Sequence, residues 1–151
     1  MARRTYETRD TLAAEEEAAK IYAEAIGADL QKLPRRYEID YMLTRSGKMV
    51  GWLEVKCRPG CQRHQTYAVS AAKIDKGCRL AERFGGSFEL LVVRTSDAMV
   101  LDALSERPVG VTIGGRTDRG DADDVEPMAH YAWASFRGFN LFRRGVDPFS
   151  G

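Results

Sequence analysis

The sequence predicts an α/β fold in which helices flank a central mixed β-sheet. Two segments have helical periodicity with recognisable ends, and several shorter segments have the alternating or continuous apolar pattern of strands. One strand–helix–strand succession indicates a parallel pair, whereas a tight turn elsewhere indicates an antiparallel one, so the sheet should be mixed. We expect one domain over all 151 residues, with a core at about 11–94 and a C-terminal extension at about 95–151.

The first predicted helix runs from Thr11 to Gly27 and is rich in alanine and glutamate. Its N-cap is Asp10 or Thr11, and Gly27 is a typical helix stop. Its apolar stripe consists of Leu12, Ala19, Tyr22, Ile26 and Leu30. At 100° per residue, Glu15 lies nearest to this stripe, Glu16 lies somewhat off it, and Glu17 points away.

Two strands with a turn at residues 46–48 are predicted next. The first, Tyr37–Thr44, places Asp40 opposite its aromatic face, and the second runs over Met49–Cys57. Side chains alternate along a strand, so Glu54 and Lys56 share a face. We therefore expect Asp40, Glu54 and Lys56 on one side of the sheet.

A second helix and a further strand complete the predicted core. The helix follows a polar loop at residues 58–66, has Ser70 as its N-cap, and ends at Gly85-Gly86. Phe88–Arg94 then reads as a buried strand. Beyond it we predict a short helix at 97–104, a short strand at 109–113, an exposed loop at 114–124, and an edge strand or packing arm within 129–142.

The two carboxylates predict a metal site, because a soluble core has little use for inward-facing acidic groups. Magnesium prefers one or two carboxylates together with other oxygens. Asp40 and Glu54 would be ligands, and the backbone carbonyl of Val55 would add a third oxygen. Lys56 would orient a water molecule or stabilise developing charge. The structural alternative is a surface hairpin in which Glu54 and Lys56 form a solvated charge pair.

Asp40 and Glu54-Val55-Lys56, following a helix that bears glutamates, resemble the PD-(D/E)XK nuclease superfamily over residues 11–94. Ile39 stands where the eponymous motif has proline. The resemblance implies a core order of α-β-β-β-α-β and a Mg²⁺-dependent endonuclease, with Mn²⁺ able to substitute, that leaves 5′-phosphate and 3′-hydroxyl ends. Because Glu16 precedes Gly27 by eleven residues, as in Holliday-junction resolvases of archaeal and phage type, it ranks ahead of Glu15 as the fourth site residue. Branched DNA and a homodimer are further implications.

Charge is distributed unevenly, although the net charge is only +1. Residues 56–83 contain seven basic and two acidic side chains, whereas residues 84–128 contain four basic and nine acidic ones. A basic zone beside the carboxylates would hold a phosphate backbone; its alternative is a solvated surface. The candidate DNA contacts are Arg58, Arg63, His64, Gln65, Lys73 and Lys76.

Two rival interpretations stay open: a DNA-binding module that has lost activity, and a zinc-stabilised interaction domain. The second would use Cys57, Cys61, His64 and Cys78, whose spacing fits no common zinc motif. An odd number of cysteines argues against a disulfide framework. Without an apolar N-terminal segment or a membrane-length apolar run, we expect a cytoplasmic protein, in a bacterial or phage-infected cell, that does not contact a membrane.

Overall fold

The computed structural model describes residues 9–115 and 125–141 of the chain. These ranges contain two α-helices, α1 (Arg9–Ala25) and α2 (Ala71–Phe84). Their strands are β1 (Asp29–Lys32), β2 (Tyr41–Arg45), β3 (Lys48–Cys57), β4 (Thr66–Ser70), β5 (Ser87–Val93), β6 (Ala98–Asp102), β7 (Gly110–Gly115), β8 (Val125–Ala132) and β9 (Arg137–Phe139). Short 3₁₀ helices cover Arg35–Tyr37, Cys61–Arg63 and Trp133–Ser135. Neither α-helix of this described part is long and apolar enough to cross a membrane.

The larger sheet has six strands in the order β1-β2-β3-β5-β6-β9. Strands β3 and β5 are parallel and are connected through α2, whereas the other neighbours are antiparallel. A smaller antiparallel sheet has the order β4-β8-β7. The predicted α/β class with a mixed central sheet is therefore confirmed. The order α1, β1, β2, β3, α2, β5 matches the expected α-β-β-β-α-β core once β4, which lies between β3 and α2 in the chain and belongs to the smaller sheet, is left aside.

The larger sheet is covered on both faces. Helix α1 packs against the face that carries Leu53 and Val55, with Tyr22 fully buried between them. Helix α2 and the smaller sheet cover the opposite face, which carries Trp52 and Phe88. Since Glu54 alternates with Leu53 and Val55 along β3, its side chain belongs to the α2 side.

Local interactions secure the helix ends. At the C-terminus of α1, the Arg45 guanidinium donates hydrogen bonds to the carbonyls of Ile26 and Gly27, at 2.8 and 3.1 Å. At the start of α2, the Ser70 hydroxyl accepts a hydrogen bond from the backbone N–H of Lys73, which confirms the predicted N-cap. Both helices thus begin and end within a few residues of the predicted positions.

The first predicted strand was too long at its N-terminal end. Tyr37 lies in a 3₁₀ helix, Glu38 has a φ of 61°, and β2 begins only at Tyr41. The apolar residues of this segment alternate in the sequence, but they do not share one face of a strand. Ile39 packs on the α2 side of the sheet, whereas Tyr41 packs on the α1 side. Strands β1 and β4, which are only four and five residues long, were not predicted at all.

The predicted helix at residues 97–104 was wrong, because this segment forms β6 between β5 and β9. Its alanine, methionine and leucine favour helices in isolation, but pairing with β5 buries Ala98, Val100 and Leu101 almost completely. The strand predicted at 109–113 is confirmed as β7. The aromatic segment supplies the end of β8 and edge strand β9. Residues 116–124 of the predicted loop, and Phe142, lie outside the described residues.

Candidate active site

Strands β2 and β3 separate at Asp40, which lies one residue before β2. The β2–β3 ladder ends at the pair formed by Tyr41 and Leu53. Beyond it, the Asp40 carboxylate accepts a hydrogen bond from the backbone N–H of Val55 at 2.9 Å. In the opposite direction, Glu54 Oε1 accepts one from the backbone N–H of Asp40 at 3.2 Å. The two carboxylates are therefore held in place by reciprocal hydrogen bonds to each other's strand segments.

Glu54 is 1% exposed, and its second oxygen faces two ammonium groups. Oε2 lies 2.9 Å from Lys73 Nζ and 3.8 Å from Lys56 Nζ. These contacts are ion pairs rather than aligned hydrogen bonds. Across residues 9–115 and 125–141, Oε2 is the buried side-chain polar atom left without a hydrogen bond. A buried carboxylate oxygen in this condition is costly unless a cation compensates it.

Burial, and after it the negative charge of Asp40, raise the pKa of Glu54 from its usual 4.5 to about 7. The ammonium groups of Lys73 and Lys56 act in the opposite direction. The carboxyl therefore changes protonation near neutral pH. Strongly shifted carboxyl groups of this kind concentrate at functional sites, because burial and like charge are otherwise unfavourable.

Asp40 has its own cationic neighbour, Lys32 at the end of β1. The Lys32 ammonium lies 3.8 Å from Asp40 Oδ1 and 4.8 Å from the centre of the Tyr41 ring. Burial, together with the negative charges of Asp40, Glu16 and Glu15, raises the pKa of Tyr41 to about 12. Sequence reasoning missed Lys32, because β1 is too short to produce a periodic signal.

The structure separates the two helix glutamates that the sequence left open. Glu15 is buried, and its carboxylate accepts a hydrogen bond from the backbone N–H of Cys57 at 2.7 Å. This contact places the Glu15 carboxylate at the end of β3, where Cys57 directly follows Lys56 in the chain. The Glu16 side chain is 60% exposed and pairs with Lys20 at 3.4 Å. The geometry therefore favours Glu15, as the helical projection did, over Glu16, which the glycine spacing had ranked first.

The candidate DNA contacts do not form one cluster. Arg63, His64 and Gln65 are exposed in and beside the 3₁₀ helix that follows β3, and Arg58 is exposed just before it. The His64 carbonyl accepts a hydrogen bond from the indole N–H of Trp133, which ties this segment to the smaller sheet. Lys73 is turned into the carboxylate site and Lys76 lies further along α2. Lys76 also lines a surface hollow of about 270 Å³, together with Arg79, Leu80, Arg83 and Phe84.

The site fits a divalent ion that takes few protein ligands. In the described part of the chain, no group of three or more histidine, cysteine, aspartate or glutamate side chains is placed to hold a metal. Asp40 and Glu54 are nevertheless two adjacent carboxylates, one with a buried oxygen that accepts no hydrogen bond, and Mg²⁺ commonly takes only one or two carboxylates. The zinc interpretation is not supported, since Cys57, Cys61 and Cys78 are free thiols and form no such group with His64.

A known protein family covers most of this chain. Residues 1–139 match the family model described as "Phage putative PDDEXK endonuclease". The chain belongs to this phage endonuclease family. No curated protein sequence matches it. Family membership confirms the resemblance to the PD-(D/E)XK superfamily that was inferred from Asp40 and Glu54-Val55-Lys56.

Proposed function

We propose that the protein is a divalent-metal-dependent DNA endonuclease that hydrolyses phosphodiester bonds to 5′-phosphate and 3′-hydroxyl ends. The observation that carries this proposal is Glu54, a buried carboxylate beside Asp40 whose Oε2 has ion-pair contacts with two lysines but no hydrogen bond. Such a group is a poor contributor to stability, because its desolvation opposes folding. Membership of the phage endonuclease family supports the same conclusion.

Asp40 and Glu54 would hold the metal, and the Val55 carbonyl would contribute a further oxygen. Bound Mg²⁺, or Mn²⁺ in its place, neutralises phosphate charge and makes a coordinated water more acidic. The reciprocal hydrogen bonds between Asp40 and the Glu54-Val55 segment keep the two carboxylates together before any ion arrives. This preorganisation lowers the cost of assembling the site.

Lys56 is the proposed group that acts on the nucleophile or the phosphate. Its side chain is 17% exposed, and its ammonium lies 3.8 Å from Glu54 Oε2. From there it can orient a water molecule or stabilise the negative charge that grows on the phosphate oxygens. Because the site is largely shielded from solvent, an ammonium acts more strongly there than it would in water.

Glu15 is the proposed helix carboxylate, since it is buried at the end of β3 whereas Glu16 faces solvent. Comparing Glu15→Gln with Glu16→Gln tests this assignment. We expect Glu15→Gln to slow cleavage by about tenfold or more, and Glu16→Gln to leave it nearly unchanged. A larger loss in Glu16→Gln would reverse the assignment.

Cleavage assays test the proposed activity. Supercoiled plasmid, linear duplex and a four-way junction are each incubated with the protein in Mg²⁺, Mn²⁺ or EDTA. The substitutions Asp40→Asn, Glu54→Gln and Lys56→Met are compared with Lys48→Met, which lies at the opposite, exposed end of the same strand. We expect metal-dependent cleavage, reduced about 100-fold or more in the three site variants and preserved in Lys48→Met.

The products and substrates refine the proposal. Nicks that DNA ligase reseals without a kinase have the proposed 5′-phosphate and 3′-hydroxyl ends. Faster cleavage of the junction than of the duplex would indicate structure selectivity, and light scattering would show whether the protein is a dimer. If every substrate remains intact while the protein still binds DNA, the enzyme proposal fails and a binding module takes its place.

A further inference from the structure

Lys73 makes the shortest contact to the buried carboxylate, although it belongs to none of the motif positions. Its ammonium lies 2.9 Å from Glu54 Oε2, compared with 3.8 Å for Lys56. The same ammonium donates a hydrogen bond to the backbone carbonyl of Glu38 at 2.7 Å. One cation from α2 therefore bridges the carboxylate on β3 and the turn that leads into Asp40.

The position of Lys73 is determined by the start of α2. Its backbone N–H donates to the Ser70 hydroxyl, 3.4 Å away, and that hydroxyl in turn contacts the carboxylate of Glu126 on β8. The first turn of α2 is thereby connected to the smaller sheet. Lys73 extends from this anchored turn into the site, where its side chain is 26% exposed.

The turn that Lys73 contacts has a strained backbone. Glu38 adopts a φ of 61°, a left-handed conformation that is unfavourable for a residue with a Cβ atom. Ile39 follows it and is 2% exposed, and Asp40 comes next. A hydrogen bond to the Glu38 carbonyl therefore supports the conformation that places Asp40 beside Glu54.

Two simpler roles for Lys73 fit these contacts less well. An exposed salt bridge contributes little, but here one partner is a fully buried carboxylate. A lysine whose role is to bind DNA phosphate would point into solvent. The Lys73 ammonium instead contacts two oxygens of the protein itself, the Glu38 carbonyl and Glu54 Oε2. The ammonium lies beside Oε2, where a metal ion bound by Glu54 would also have to lie.

We propose that Lys73 is a positioning residue, a built-in counter-cation that holds Glu54 and the turn before Asp40 in place and competes with a divalent cation for Glu54 Oε2. The inference rests on the proposed function in one respect, namely that Glu54 binds metal. When a divalent ion binds, the ammonium yields this oxygen and becomes available to solvent or to a phosphate. Lys73 thus makes the metal-free site stable and metal binding weaker.

Metal affinity and stability test this competition without an activity measurement. Calorimetric titration with Mn²⁺ at pH 8 compares wild type, Lys73→Met and Lys73→Arg with Lys76→Met, a matched variant one turn further along α2. We expect Lys73→Met to bind Mn²⁺ about threefold or more tightly than wild type. In EDTA it should melt about 2–4 °C lower. Lys73→Arg and Lys76→Met should remain close to wild type.

A labelling experiment on the wild-type protein covers the case in which Lys73→Met does not fold. Acetylation by an N-hydroxysuccinimide ester, read by mass spectrometry, should modify Lys73 about threefold or more faster in Mn²⁺ than in EDTA, because an ammonium released from its ion pair is more accessible. The rate at Lys76 should not change.

The outcomes separate this inference from the proposed function. The proposed competition is refuted if wild type binds Mn²⁺, Lys73→Met binds it equally or more weakly, and the labelling rate of Lys73 does not respond to metal. If neither protein binds Mn²⁺ or Mg²⁺, the metal site itself is wrong, and the proposed function fails with it. Binding by Lys73→Met alone would support the inference directly.

Discussion

Replacing Glu54 by glutamine should change how the stability of the protein depends on pH. In the folded state, burial and the charge of Asp40 raise the pKa of this carboxyl from 4.5 to about 7. Between these two values the folded chain holds a proton that the unfolded chain has already lost. Stability contributed at this position therefore falls as pH rises from 4.5 to 7 and stays low above it.

The size of the effect follows from the shift. About 2.5 pKa units correspond to about 3 kcal/mol when Glu54 is fully ionised in both states. Between pH 5.5 and pH 8, the same relation predicts that the contribution of Glu54 to the unfolding free energy falls by about 2 kcal/mol. Glu54 is 1% exposed, so no reduction for solvent screening applies. Glutamine keeps the shape of the side chain and cannot ionise, so the variant should lack this pH dependence.

Urea unfolding in EDTA, at several pH values from 5.5 to 8, measures the prediction. The relevant quantity is the unfolding free energy of Glu54→Gln minus that of wild type, because the titration of groups that do not interact with Glu54 cancels in this difference. It should rise by about 2 kcal/mol over the range, whatever constant offset the amide introduces beside Lys56 and Lys73. Glu24→Gln, at an exposed position on α1, provides the matched control and should give a flat difference.

A flat difference for Glu54→Gln would refute the reasoning. It would mean that the carboxyl titrates at its ordinary pKa, and hence that it is solvated or fully compensated by its lysines in solution. A difference that falls with rising pH would have the same consequence, since it would imply that ionised Glu54 stabilises the fold.

Three further substitutions probe the scaffold by urea unfolding. Gly77→Ala should destabilise the protein by about 1–3 kcal/mol despite the better helix propensity of alanine. The new methyl group would lie 2.3 Å from the buried Phe88 ring; a stability gain would show that α2 can shift on the sheet. Arg45→Ala should cost about 1 kcal/mol by removing two hydrogen bonds to the end of α1, whereas an unchanged midpoint would show that water replaces them. Arg137→Met should cost about 1–2 kcal/mol, because the guanidinium donates to the Tyr22 hydroxyl and pairs with a carboxylate on β5; equal stability would contradict this role.

Much of the fold was predictable because its signals are local. The α1 and α2 helices are indicated by their periodicity and by residues such as Ser70, whose capping role depends only on the next few positions. The long strand β3 and the buried strand β5 are equally clear. Strands β1 and β4 were missed because four or five residues carry too little periodicity, and β6 was misassigned because its sheet neighbours overrode its helical composition.

In the candidate site, too, some residues could be predicted from local sequence signals and others could not. Asp40, Glu54 and Lys56 could be placed together because each is close in sequence to a recognisable strand and their spacing follows the period of two. Lys73 was predicted only as a candidate DNA contact. Its pairing with Glu54 depends on how α2 crosses the sheet, and no local pattern encodes that crossing.

The sequence by itself determined the α/β class, the two helices, the parallel crossover, and the carboxylate–lysine motif, because these depend on periodicity, capping and short spacing. Tertiary structure decided which helix glutamate is buried and which cations surround Asp40 and Glu54. It also decided that these two carboxylates accept hydrogen bonds from the backbone N–H groups of Val55 and Asp40, respectively. The physical reason is distance along the chain. Glu15 reaches Cys57 across 42 positions and Lys73 reaches Glu38 across 35, and packing of the helices on the sheet alone brings such pairs together.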